Sequence, residues 1–504
     1  MANPLYDRLF GTHAGKATPF LILPDGTTIT HDAFLKRAAQ IAHVLNDLGL
    51  TAGDRLAAQV EKSPEALALY AACAQTGVVF LPLNTAYTVD ELTYFIDNSG
   101  ASLVVCDGAK LDGLAPVADR LGAKIETLNA DGSGSLMARA DARPTTYDTV
   151  DRDGGDLAAF LYTSGTTGRS KGAMLTQDNL LSNAQTLAEL WHFTDKDVLL
   201  HALPIFHTHG LFVATNITLF AGGAMIFMAR FDAGEILRLM PQATAMMGVP
   251  TFYTRLLDDP AFTRDLASGM RLFVSGSAPL LAETHVRFED RTGHRILERY
   301  GMTETNMNTS NPYDGERRAG TVGFPLPGVE LKITGSEGED LPQGEVGLIE
   351  VRGPNVFKGY WQMPEKTKEE LRDSGFFITG DLGMIDEDGY VHIVGRNKDL
   401  IISGGYNIYP KEIELVLDDQ PGVMESAVIG VPHADFGETV LGVIVPEAGA
   451  TPDLDAIAAA AGEKLARFKH PRKLIVIDAL PRNTMGKVQK NILRDAYKDT
   501  FAPA

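Results

Sequence analysis

The chain has 504 residues, of which 44% are apolar and 22% charged, the balance of a globular protein with two or three domains. Its 45 Lys and Arg stand against 65 Asp and Glu, a formal net charge of −20 that argues against nucleic acid as a partner and obliges local cations or backbone dipoles to meet any anionic substrate. Two distant cysteines, Cys73 and Cys106, lie outside any CxxC pattern and argue against a disulfide framework or a cysteine-based zinc site.

Met1 to Phe10 carries charges inside its apolar stretch and lacks the form of a signal peptide. Phe34, Ile41, Leu45 and Leu48 fall on one helical face, with Thr30 as N-cap and Gly49 as the stop. Ser63-Pro64 opens a second helix that ends at Gly77, and Val78 to Leu81 follows as an apolar strand. Leu103 to Cys106 and Ala158 to Tyr162 read as further buried strands, and this alternation predicts an α/β architecture with largely parallel sheets. Leu211 to Met228 is apolar but broken by Thr215, Asn216, Thr218, Gly222 and Gly223, so it reads as core rather than a membrane span. From Gly344 to Tyr360 the character turns to β, with Leu348 to Val351 as a strand. After Gly395 the units shorten: a helix from Pro410, strands near Val428 to Val431 and Leu441 to Val445, a helix from Asp453 and a strand from Leu474 to Ile477. This tail predicts a separate small α/β domain and, with the other features, a cytoplasmic protein.

Five patches carry chemistry. Thr163-Ser164-Gly165-Thr166-Thr167-Gly168-Arg169-Ser170-Lys171-Gly172 follows a strand; its glycines permit tight turns whose N–H groups can cradle phosphate oxygens, beside hydroxyls and two cations. It is not a Walker loop, because Ser170-Lys171-Gly172 stands where Gly-Lys-Ser/Thr is required. Glu298-Arg299-Tyr300-Gly301-Met302-Thr303-Glu304 offers a carboxylate for Mg²⁺ and a ring to stack on adenine, with a helix-capping turn as the plain alternative. Phe377 to Asp381 ends in a carboxylate suited to ribose hydroxyls, or in an ordinary turn aspartate. Gly395-Arg396-Asn397-Lys398-Asp399 suits a hinge or a ribose contact, and equally a solvated charge run. Pro481 to Lys487 presents a lysine after a glycine-made turn.

In this order the patches resemble the acyl-adenylate-forming superfamily of acyl-CoA synthetases, luciferases and peptide-synthetase adenylation domains. Leu81-Pro82-Leu83-Asn84, Leu203-Pro204-Ile205-Phe206-His207 and Ser275-Gly276-Ser277-Ala278-Pro279 extend the likeness over essentially the whole chain. The resemblance implies a large N-terminal domain of several mixed sheets (1–395) and a small mobile lid (396–504), hinged at Lys398. It implies ATP, Mg²⁺ and coenzyme A as reactants and cofactors. Thr163, Ser164, Gly165, Thr166, Thr167, Gly168 and Lys171 would hold the phosphates. Ser277, Ala278, Pro279, Glu298, Tyr300, Gly301, Met302 and Thr303 would line the adenine and acyl pockets. Glu304, with Thr163, would meet Mg²⁺, and Asp381 and Arg396 would bind the ribose. Lys487 matches the family's catalytic lysine, while Gly404, Gly405 and Tyr406 fall on the coenzyme A side. His207 would lie at the acyl and pantetheine channel.

His201, His207 and His209 also invite a metal reading, since an HxH pair on a strand places two imidazoles on one face, but no third carboxylate or Cys ligand stands nearby. Arg299 is more informative. A buried cation beside the acyl pocket has no use for apolar acids, whereas its fork suits a second carboxylate. With His207, Ser277 and Met302 near by motif, the pocket suits a short dicarboxylic acid, and Arg299 to Asn306 resembles malonyl-CoA synthetases. The implied reaction joins malonate, with methylmalonate tolerated, to coenzyme A. Arg299 pairing with Glu298 or another acid is the structural alternative. Another short or medium acid, or a stand-alone carrier-protein-loading enzyme, is the functional one; the end of the chain soon after Lys487 favours the ligase.

Overall fold

The computed structural model describes residues 2–163, 170–335, 337–403, 406–433, 436–465, 467–483 and 486–501. The fold is mixed α/β and forms two compact units, Met1–Leu331 with Val351–Phe377, and Lys332–Glu350 with Ile378–Ala504. Gly395, where the shortening of elements suggested a boundary, pairs with Leu382 inside the second unit.

In the first unit one sheet has six strands, in the order Lys124–Thr127, Leu103–Cys106, Arg55–Gln59, Val79–Pro82, Leu157–Thr163 and Lys171–Thr176. All neighbours run parallel except the last pair, whose register sets Thr163 opposite Lys171. A second sheet of nine strands has a parallel centre: Leu297–Met302, Leu272–Ser275, Ala245–Gly248, Val198–His201 and Ala224–Phe227. Apart from Leu297–Met302, these strands are largely apolar runs because both faces are covered. Tyr253, Phe262, Phe273 and Phe288 pack together on one side of it. The turns bearing Ser277 and His207 leave the carboxyl ends of these strands, where open α/β sheets gather their ligands.

Helix starts follow the sequence. Thr30 accepts from the Ala33 amide to cap His31–Asp47, and Ser63 caps Pro64–Thr76, which stops at Gly77 with φ 73°. Leu211 to Met228 divides into the end of a π-helical turn (His209–Thr215), a helix (Asn216–Ala221) and a strand, all in the core. Among the described residues no helix is long and apolar enough to cross a membrane.

In the second unit, Val423–His433 and Gly437–Pro446 form one long antiparallel pair, longer than the apolar runs alone suggested. The pair continues through Glu425, Thr439 and Glu438, whose register is fixed by the apolar centre. Ile413 and Leu417 of the helix Pro410–Asp418 pack on Val428 and Ile444.

Candidate active site

Leu297–Met302 is a strand, so consecutive side chains point to opposite faces. Glu298 turns to His285, whose Nδ1 lies 3.5 Å from its carboxylate, and burial raises the Glu298 pKa. Arg299 turns the other way, and the pairing of the two neighbours is excluded by that geometry. Arg299 is 5% exposed, and among the described residues its Nε and one terminal nitrogen have no hydrogen-bond partner. Among the described residues no carboxylate pairs with it. Burial pushes its pKa down to about 9, eased slightly by Tyr253, a measure of how poorly the charge is solvated.

The guanidinium rests on Gly276, where an added Cβ would meet its central carbon at 2.3 Å. Next in the chain, Ser277 holds a left-handed φ of 71°, a costly conformation for a residue with a Cβ. Its hydroxyl lies 3.2 Å from Nδ1 of His209. Burial, then the field of Arg299, hold the His209 pKa well below the ordinary value, so the ring is neutral. Among the described residues the Nε2 of His209 is buried without a hydrogen-bond partner. A buried cation, a neutral imidazole and the Ser277 hydroxyl thus converge where buried polar groups ordinarily demand partners. A small anion with several oxygens satisfies such a set.

His207 stands two residues before His209 in the same segment. Its ring packs edge-on against Phe206 at 4.6 Å, and it lines a small recess with Asn84, Tyr87, Tyr162 and Phe206. The HxH pair is not on a strand: His207 is in a turn and His209 begins the π-helical turn, so the two rings do not share a strand face.

The strand ends at Met302 in a tight turn to Asn306–Ser310, not a helix cap. Gly301 is obligatory there, since a Cβ would strike the Asn306 carbonyl at 1.9 Å. Tyr300, Met302 and Thr303 are half-buried along this turn, and Glu304 is buried. The Tyr360 hydroxyl lies 3.0 Å from Glu304 and 2.6 Å from Glu370. Glu370 also takes Lys171 at 3.1 Å and Lys366 at 2.9 Å, while the Lys171 ammonium sits 4.2 Å over the Tyr360 ring. One phenolic proton cannot serve two carboxylates. The shorter contact and the two cations draw that proton to Glu370, and Glu304 is a carboxylate of the kind that suits a divalent ion. Mg²⁺ commonly takes one or two carboxylates and completes its shell with water and phosphate, so the residues fit that ion. Thr163 closes this side, its hydroxyl 3.5 Å from the Lys171 carbonyl. Ser164, Gly165, Thr166, Thr167 and Gly168 lie outside the described residues.

In the second unit Asp381 and Arg396 face each other across paired strands, Nε to carboxylate 2.7 Å, with Asp381 buried. Lys398 lies in a single 3₁₀ turn, Asn397–Asp399, whose Asp399 pairs with Arg494. Lys487 is exposed on a turn closed by the Asn483 side chain, which accepts from the Lys487 amide at 3.0 Å. Gly404 and Gly405 lie outside the described residues; Tyr406 opens a short strand, Tyr406–Ile408. Sequence reasoning did not reach Tyr360, Glu370, the packing role of Gly276 or the contact of His209 with Ser277.

A Gly/Ser/Thr-rich segment that follows a parallel strand in the sequence, a buried carboxylate at Glu304 and a second unit carrying an exposed lysine turn fit an adenylate-type ligase architecture. The chain belongs to the AMP-binding enzyme family, whose model matches residues 12–361, with the family's C-terminal domain matching 412–487. It is similar to the crystal structure of ATP-bound MatB from Rhodopseudomonas palustris, with 58% identity and a TM-score of 0.97 over 99% of this chain and 100% of that one. It is 37% identical to the malonate–CoA ligase of Arabidopsis thaliana, covering 84% of this chain and 75% of that protein. It is also 37% identical to a feruloyl-CoA synthase of Amycolatopsis, covering 94% of each.

Proposed function

We propose that this chain ligates malonate to coenzyme A, consuming ATP and releasing AMP and pyrophosphate. Overall identity alone does not choose the acid, because malonate and ferulate ligases are equally distant at 37%. The observation that carries the choice is Arg299: a buried cation with no carboxylate among the described residues as its partner. An apolar acid would leave that charge unmet, whereas the distal carboxylate of malonate supplies the missing partner.

In this reading His209, neutral, and Ser277 flank the acid and fix its orientation, with Arg299 holding the far end. The near carboxylate attacks the α-phosphorus of ATP, the bond to pyrophosphate breaks, and an acyl-adenylate forms. Thr163 to Lys171 bind the phosphates and Lys487 offsets charge at the α-phosphate in the transition state. Glu304, with Thr163, would hold Mg²⁺, which when bound neutralises phosphate charge. Asp381 and Arg396, already paired, present a fixed carboxylate and guanidinium to the ribose. Coenzyme A thiolate then attacks the adenylate carbonyl and AMP leaves. The turn at Lys398 is where the part of the second unit that follows it would rotate between the two steps. The reactants are all small and polar, which fits a cytoplasmic enzyme.

The test compares kcat/KM for malonate, methylmalonate, acetate and ferulate in wild type and in Arg299→Met. Wild type should prefer malonate, and the variant should lose malonate by about 30- to several-thousand-fold while keeping acetate. A wild-type preference for a monoacid, or an equal loss of all acids, sinks the malonate reading.

A further inference from the structure

Lys62 lies outside every motif above, just before the capping Ser63 of a helix, yet its ammonium is fully engaged. It is 2.9 Å from Nδ1 of His201, 2.7 Å from the His201 carbonyl and 2.9 Å from the Leu203 carbonyl. The Phe227 ring covers it at 4.4 Å. The other imidazole nitrogen, Nε2 of His201, lies 2.8 Å from the Gly210 carbonyl. A carbonyl only accepts, so Nε2 carries the proton and Nδ1 accepts from Lys62. All three ammonium hydrogens then have acceptors.

These contacts close a loop. Leu203 at its start is held by Lys62, and Gly210 at its end is held by His201 and by the Thr215 hydroxyl at 2.9 Å. Gly210 also packs on the start of the loop, where a Cβ would meet the Pro204 carbonyl at 2.0 Å. Between the two anchors stand His207 and His209. The same segment reaches a second site loop, since Gln59 donates to the Asn84 carbonyl at 2.8 Å and the Tyr87 carbonyl at 3.1 Å.

We infer that Lys62 is a positioning residue for the acid pocket, acting through His201 and the Gly210 carbonyl to set His209 against Ser277 and Arg299. The inference rests on the reading of the Arg299 cluster as the acid site. Lys62→Met keeps the length of the stem and removes the three donors. It should raise KM for malonate at least tenfold while KM for ATP stays within about twofold, because the phosphate-binding residues lie on other strands.

Wild type is first run on the acid panel. If malonate is not its preferred acid, the substrate reading fails and the KM comparison is made with the acid it does prefer, so the two ideas are separable. Unchanged acid KM, or an equal rise for acid and ATP, overturns the positioning role. Should Lys62→Met not fold, Thr215→Val, near-isosteric and removing one donor to the same carbonyl, takes its place and should raise the acid KM severalfold; no change there overturns the proposal. A third readout needs no active variant. Nitrogen-15 NMR of the wild-type imidazoles, with His201 assigned by difference from His201→Gln, should show the Nε2–H tautomer, and an Nδ1–H signal breaks the relay.

Discussion

Arg299 occupies the space that any side chain at position 276 would need: a Cβ on Gly276 would stand 2.3 Å from the guanidinium carbon and 2.5 Å from one terminal nitrogen. The backbone at Gly276 is not left-handed, so the requirement is for room rather than for unusual dihedrals. Gly276→Ala should therefore fold and displace the guanidinium. The expected loss in malonate kcat/KM is about 30-fold or more, approaching that of a truncated buried charge pair. KM for ATP should change little. Steady-state kinetics with each substrate varied in turn checks this, and an unchanged malonate constant would mean that the guanidinium does not bind the acid.

The same residue should act in opposite directions on stability and activity. A buried charge without a partner costs free energy, and replacing it by a well-packed apolar side chain is often neutral or stabilising by about 1–4 kcal/mol. Arg299→Met should thus raise the thermal midpoint of the ligand-free protein. Malonate should stabilise wild type and not the variant. Differential scanning fluorimetry with and without malonate reads both effects, and a variant less stable than wild type would show that Arg299 has a structural partner.

What could be read from the sequence was local. The helix caps at Thr30 and Ser63 and the stop at Gly77 follow from residue types within a few positions of each other. Arg299 stood out through the family resemblance, as a cation at a position that lies beside the acyl pocket. That Glu298 and Arg299 face opposite ways needed only the strand assignment, which the capping-turn alternative had left open. The bond from Tyr360 to Glu304 joins residues 56 apart, and no periodicity encodes it. The contact of His209 was hidden for a different reason: the HxH spacing suggests a strand period of two, and the chain there turns into a π-helix instead.

Tyr360→Phe tests that bridge. Burial pushes the Glu370 pKa up, but the Tyr360 hydrogen bond, Lys366 and Lys171 outweigh it and leave the pKa below the ordinary value. A carboxyl with a depressed folded pKa contributes stability above its unfolded value and loses it as pH falls. Removing the phenol should therefore cost about 1–3 kcal/mol at pH 7, the loss of a buried partner to a charged group. The difference from wild type should shrink as pH drops below about 4.5 and the carboxyls become protonated. Urea denaturation at pH 7 and pH 4 measures it, and a cost independent of pH would assign the effect to packing.

Lys487 is on an exposed turn, consistent with a group that serves only one of two steps. Lys487→Ala should cut adenylation by about 10²–10³-fold or more, the scale of one lost transition-state donor. Thioester formation from supplied malonyl-adenylate should persist. ATP–pyrophosphate exchange and direct thioester detection separate the halves, and equal loss in both would end the division of labour.

The buried histidines set the acid limit of the fold. His31 stacks on Phe20 with centroids 4.8 Å apart and lies against His13 at 4.4 Å. Its Nε2 is 3.2 Å from the Gly223 carbonyl, and that of His13 is 2.6 Å from the Leu219 carbonyl. Burial, and then the neighbouring His13, lower the His31 pKa to about 4. Burial lowers those of His13, His201, His209 and His294 as well. Each of these rings is neutral when folded but takes up a proton near pH 6.5 once the chain unfolds. Below that pH the unfolded state binds more protons, so stability falls as pH falls, and the loss continues until the folded-state values are reached. For His31 alone this amounts to about 2 kcal/mol at pH 5 relative to pH 7.5. His31→Gln keeps a donor for the Gly223 carbonyl and removes the titration. Wild type should lose stability steeply between pH 6.5 and pH 4, and the variant less so by about that amount. Guanidinium denaturation midpoints across this range decide it: parallel pH profiles for the two proteins would mean that His31 is not what makes the fold acid-sensitive.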